Sequence, residues 1–201
     1  MNYETLIATY PFIDSFLQLF KGIMPTIVAL LAIYINNNRA WKRDKNKEIT
    51  EMKRKTLLVL EESSIQLYNM AYNVGKEYLD YMQHLKEKDK KEKYFNLYYE
   101  NNKDMLMFSR KVRFLSESAI IKTGIDTIEF DSCFRKVSDF AYGISCISEA
   151  YYDLVNNSKT KREEDHYLDQ VQKELIIISE EVENEILNYI KGIASSVKNL
   201  I

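Results

Sequence analysis

The sequence predicts an all-α protein, a single-pass membrane anchor followed by a long-helix, antiparallel bundle of about four helices. Three observations carry this expectation. Only five Gly and two Pro occur in 201 residues, and both prolines, Pro11 and Pro25, fall within the first 25. Nothing after Pro25 therefore interrupts long helices, and strand-bounding turns would need more breakers. From Ile49 onward, apolar residues recur mostly three, four or seven apart, the spacing of one helical face. Residues 22–35, GIMPTIVALLAIYI, carry no charge, and a burst of basic residues follows them. The length suits one compact domain plus an appendage.

The organisation reads as three parts: an external or interfacial amphipathic segment over 1–21, an overlapping transmembrane helix over 17–36, and a cytosolic bundle over 37–201. Fourteen residues from Gly22 rise only about 21 Å, short of the ~30 Å hydrocarbon core. Extending the span back to Leu17 supplies the missing length and takes in Gln18 and Lys21. Lys21 can snorkel to the headgroups. Tyr34 and Trp41 stand where an interfacial aromatic belt is expected at the other end.

A secretion signal carries its positive charge before the apolar run. Here Arg39, Lys42, Arg43, Lys45 and Lys47 follow it, and no small-residue cleavage site follows LLAIYI. This collar predicts an uncleaved anchor with the N-terminus outside and the C-terminal bundle in the cytosol.

In residues 10–21, YPFIDSFLQLFK, the polar Asp14, Gln18 and Lys21 recur at offsets of 0, 4 and 7 and form one stripe, opposite Phe12, Phe16, Leu19, Phe20 and Ile23. Three states fit this pattern: a helix lying flat in the outer interface, a continuation of the span with the stripe toward a partner helix, or a stripe lining a wet path in an oligomer. Gly22 and Pro25 predict a bend between the two parts.

The first bundle helix is expected over about 42–86, continuous with the anchor. KEKDKKEK, residues 86–93, reads as a charged corner. A second helix covers 94–121 with Phe95, Tyr98, Met105, Phe108, Val112 and Leu115 inward, stopped by Gly124. Asp126 and Glu129 have the spacing of a capping box that starts a third helix. That helix carries Cys133, Val137, Phe140, Ile144, Ile147, Tyr151 and Leu154 inward. After the corner NNSKTKREED, the last helix shows the most regular seam, from Leu168 through Val171, Leu175, Ile178, Val182 and Ile186 to Leu200. That seam serves the bundle or a second copy equally well.

Functional chemistry is sparse. Cys133 and Cys146, 13 apart, lie about 220° apart around a helix and read as two buried free thiols. Glu163 and His166 make one Glu-x-x-His pair, whereas a carboxylate-bridged di-iron bundle needs two, and His84 has no Glu three before it. Arg162 and His166 have three residues between them, one too few for the Arg–His spacing of HEPN-type nucleases. No Gly-rich phosphate loop and no serine nucleophile elbow occur. KDKKEKYFNLYY interleaves lysine with aromatics as single-stranded nucleic-acid binders do, but Glu92 and Glu100 nearby favour the reading in which the aromatics are core and the lysines a solvated corner. The sequon at Asn156 falls on the expected cytosolic side. No catalytic residue, cofactor or metal is expected, and nucleic acid is not expected as a direct partner. The expected partners are the bilayer and either a protein partner or a second copy through the last helix.

This layout, with its polar stripe at Asp14, Gln18 and Lys21 beside the apolar span, resembles the small membrane-embedded effectors of bacterial antiphage systems of the retron and abortive-infection type. The resemblance is one of layout and composition and transfers no residue role. It implies a non-enzymatic effector held inactive by a cytosolic partner, which perturbs the inner membrane once released. The other class with the same layout is a passive membrane-tethered adaptor whose bundle docks a cytosolic partner.

Overall fold

The computed structural model describes residues 11–126 and 130–200. Among the described residues there are four α-helices and no strand: α1 (Pro11–Gln83), α2 (Lys88–Thr123), α3 (Asp131–Asn156) and α4 (Lys161–Lys198). The chain divides into two units, Met1–Glu51 and Met52–Ile201, and α1 contributes to both.

The second unit is a helical bundle built on one core. From α1 it buries Leu57, Leu60, Leu67, Val74, Tyr78 and Met82, and from α3 Cys133, Val137, Phe140 and Ile144. The seam of α4 buries Val171, Leu175, Val182, Ile186, Tyr189 and Ile193. Ile178, in the middle of that seam, is half-buried. The inner face of α2 is narrower and more polar than its apolar pattern predicts: Met105, Ser109, Val112, Ser116, Ala119 and Thr123. Ser109 and Thr123 satisfy their hydroxyls on the helix's own carbonyls of Leu106 and Ala119, so they can be buried at little cost. With small side chains filling the narrow gap, Tyr98, Phe108 and Leu115 are only half-buried and Phe95 is exposed.

Contacts between helices rise along one and fall along the next. From α1 to α2, Glu77 accepts from Asn101 at 2.7 Å and Tyr81 meets Phe95 at 5.4 Å, and just past the end of α1 His84 stacks on Tyr94 at 4.7 Å. From α2 to α3, Lys91 donates to the Tyr152 hydroxyl at 2.6 Å and Arg113 pairs with Asp131 at 2.9 Å. From α3 to α4, Ser132 donates to Glu185 at 2.7 Å, Lys136 to Glu181 at 2.9 Å and Tyr151 to Glu174 at 2.6 Å. Between α1 and α4, Tyr68 donates to Glu183 at 3.1 Å, and Lys86, in the corner after α1, donates to Glu164 at 2.6 Å. The exposed ion pairs in this set are each worth about 0–1 kcal/mol, so they set register more than stability.

The helix ends differ in part from the sequence expectation. α1 ends at Gln83, and α2 starts at Lys88, where the charge run suggests a corner over 86–93. Lys and Glu are good helix formers and no Gly or Pro interrupts them, so charge alone does not break the helix. Gly124 stops α2 as expected: its φ is +70°, and its N–H bonds the Ile120 carbonyl. α3 starts at Asp131 behind Phe130 with no side-chain cap, not at a box on Asp126. Glu129 lies outside the described residues. Phe130 is buried edge-on to Tyr189, with ring centroids 4.9 Å apart, so apolar burial sets this entry. The capping box is instead at α4. Thr160 accepts from the Glu163 N–H at 3.2 Å and Glu163 accepts from the Thr160 N–H at 3.2 Å. The final helix therefore begins seven residues before Leu168. On α3, Val155 rather than Leu154 is buried, and Cys146 is exposed, not buried.

Candidate membrane anchor

Within the first unit, α1 is continuous from Pro11 and passes through Gly22 and Pro25 as helix. Pro25 has no N–H to offer the Lys21 carbonyl, and its ring crowds that carbonyl, which is how a proline bends a helix without ending it. Every residue from Gln18 to Arg39 is exposed. These include Ile23, Met24, Ile27, Val28, Leu30, Leu31, Ile33, Tyr34 and Ile35, which together cover all sides of the helix. Fully burying one such side chain is worth about 1.5–3 kcal/mol. A soluble helix would turn at least one face to a core, and here no face does. Among the described residues one helix is long and apolar enough to cross a membrane, and none of its apolar stretch is buried within the protein.

The residues singled out from the sequence fall on this helix. Gln18 and Lys21 are exposed, and Asp14 lies in the same helix with its side chain outside what is described. Since the helix does not break between them, offsets of 0, 4 and 7 keep the three positions within about 60° of one another. Residues 1–10 of the expected amphipathic segment lie outside the described residues. Arg39, Lys42, Arg43, Lys45 and Lys47 are all exposed on α1 beyond the apolar stretch. The Lys45 ammonium sits 5.0 Å from the centroid of the Trp41 ring, so an aromatic and a cation share one place at the end of that stretch.

The bundle assembles no comparable chemical site. His84 is half-buried, its Nδ1 2.8 Å from the Asp80 carbonyl. It lines a surface groove with Lys161, Asp165 and Asp169, and His166 does not line that groove. Among the described residues no three His, Cys, Asp or Glu side chains group to hold a metal ion. The aromatics of the lysine-rich segment split between partners: Tyr94 stacks on His84, Tyr98 packs against Tyr78 at 5.2 Å, and Tyr99 is exposed. Burial pushes the Cys133 thiol up to about 12, with the Glu185 charge adding to it, so this thiol is inert at neutral pH. Two surface features escaped the sequence reading, because apolar residues on them were assigned inward or passed over: an apolar groove between α1 and α4 lined by Tyr72 and Ile176, and the outer face of α2. No family model matches the chain, and no curated protein and no solved structure matches it either.

Proposed function

We propose that the protein is a membrane-anchored, non-enzymatic effector whose antiparallel four-helix bundle lies in the cytosol. The span is residues 17–36 of α1. The observation that carries this is the wholly exposed apolar stretch of α1, flanked on one side by Arg39, Lys42, Arg43, Lys45 and Lys47. A bilayer supplies the burial that none of the described residues supplies, and the basic collar favours the cytoplasmic side. The layout supports a role in bacterial antiviral defence, in which a cytosolic partner restrains the protein and its release perturbs the inner membrane. Asp14, Gln18 and Lys21 favour an active role over a passive tether, because a scaffold needs no polar stripe beside its span and lipid offers these groups no partners.

The test is expression of the full chain alone in a bacterium, with membrane fractionation, dye entry and viability read together. The parent is expected in the membrane fraction and admits dye. The variant with Asp14, Gln18 and Lys21 all changed to Leu inserts equally and does not. Recovery of the parent in the soluble fraction would refute the anchor. Full toxicity of the triple variant at equal membrane abundance would refute the polar-stripe mechanism. An inserted parent that never admits dye would leave the adaptor reading in its place.

A further inference from the structure

The bundle carries two apolar stripes that are exposed among the described residues. On the outer face of α2, Met107, Phe114 and Ile121 recur every seven residues and are 60%, 68% and 85% exposed. Lys103 and Arg110 line the same groove as Met107, and Lys103 also reaches Glu100 of its own helix at 3.5 Å. On α1, Leu58, Ile65 and Tyr72 also recur every seven residues and are 37%, 45% and 56% exposed. Tyr72 forms the wall of the groove against α4 that Glu180 and Glu183 line. The two stripes face different sides of the bundle, since α2 turns Asn101 toward α1 whereas α1 turns Tyr68 toward α4.

Their heights match. Along α1 and α2, residues in contact pair 77 with 101, 81 with 95 and 84 with 94. Carried down the helices, this register sets Tyr72 level with Met107, Ile65 with Phe114 and Leu58 with Ile121, each to within about 3–5 Å at 1.5 Å per residue. Between α1 and α4, Tyr68 meets Glu183, and a methyl built on Gly75 would lie 3.2 Å from Ser179. Arg110 therefore stands at the height of Glu183 and Lys103 at the height of Glu180. Two bundles side by side in the same orientation bring apolar residue to apolar residue at three levels, and base to acid at two.

We propose that α2 of one copy docks into the α1–α4 groove of the next, giving a head-to-tail row of identical, equally oriented chains. Charge selects this pairing. A groove facing another groove would oppose Glu180 and Glu183 to their own copies, and an α2 face against another would oppose Lys103 and Arg110 to theirs. Lys76 is the one base that lines the groove, against the two acids Glu180 and Glu183. Glu117, the acid near Phe114, is held by Arg113 at 3.4 Å. Because the two contact surfaces differ, the association does not stop at a dimer: it closes as a ring or continues as a row. The equal orientation is the one in which the register sets Met107 against Tyr72 and Lys103 against Glu180, and a shared membrane topology, which rests on the anchoring proposed above, puts every bundle on the same side of the bilayer.

The test uses full-length protein in which Cys146, the exposed thiol, is Ser. Met107→Cys and Tyr72→Cys are introduced singly and together, and the cells are treated with a short bismaleimide. The double variant is expected to give a ladder of crosslinked species. Two differently tagged single variants, co-expressed, give a mixed dimer, and each alone gives none. Lys103→Glu and Glu180→Lys should each diminish the ladder, and the two in one chain should restore it. Self-crosslinking of either single variant, or no ladder from the double variant, overturns the proposal. So does failure of the paired charge swap to restore the ladder in chains whose unfolding is unchanged. Membrane and soluble fractions are scored separately. A ladder in the soluble fraction would support the faces while refuting the anchor, and an inserted chain without one would do the reverse.

Discussion

Ile186 and Ile177 lie on the same helix, and changing each to Ala isolates burial from every other effect. Ile186 is 0% exposed at the centre of the α4 seam and Ile177 is 58% exposed on its outer side. Ala gains the same helix propensity over Ile at both positions, so that contribution cancels in the comparison. At Ile186 the change leaves a cavity in a core that cannot fully collapse, at a cost of about 2–5 kcal/mol. At Ile177 it removes atoms already in water, and the cost stays within about 0.5 kcal/mol. For a unit of this size 1 kcal/mol shifts the melting midpoint by about 2–4 °C, so Ile186→Ala should melt roughly 4–20 °C below the parent. Ile177→Ala should melt within about 2 °C of it. The assay is near-ultraviolet circular dichroism of the full chain in detergent. It reads the buried Tyr78 and Tyr189, both in the bundle, whereas the single Trp41 is exposed on the first unit and does not report. Equal shifts for the two variants, or a larger shift for Ile177, would show that the inward face of α4 is wrongly assigned.

Three further outcomes are expected. Thr160→Ala removes the cap that accepts from the Glu163 N–H and should cost about 1 kcal/mol, read as a lower denaturant midpoint; an unchanged midpoint would show that the Glu163 carboxylate alone holds that helix end. Alkaline pH should destabilise the bundle. Burial raises the hydroxyls of Tyr78 and Tyr189 well above their ordinary 10.0 and Tyr81 up to about 12, while the Cys133 thiol rises from 9.0 to about 12. The folded state keeps these protons longer than the unfolded chain does. Stability is therefore full below about pH 9 and falls as pH rises through the raised values. Tyr78→Phe should flatten that decline, and a midpoint that climbs above pH 9 would contradict the burial of these groups. Thiol labelling at neutral pH should modify Cys146 alone, with Cys133 reacting only on unfolding; two labels on the folded chain would place Cys133 at the surface.

Local chemistry written within a few residues was legible in the sequence. The period of Val171, Leu175, Val182, Ile186 and Ile193 identified the inner face of α4, because a helix buries whatever recurs at its own pitch. Gly124 marked the end of α2, since only glycine takes a left-handed stop without strain. The uncharged run from Gly22 to Ile35 and its basic flank were visible because hydropathy and charge are properties of residue types. Thr160-x-x-Glu163 was equally local and was passed over for the charge run that contains it. What depended on a second helix was not legible. Ser109, Ser116 and Ala119 line the interior of α2, while Met107, Phe114 and Ile121 face out. Hydrophobicity ranks those two sets the other way round, and the space left by neighbouring helices decided between them. Only the paired helices set Leu58, Ile65 and Tyr72 level with Ile121, Phe114 and Met107. A height shared by residues some 35–65 positions apart exists only once the chain has turned back on itself.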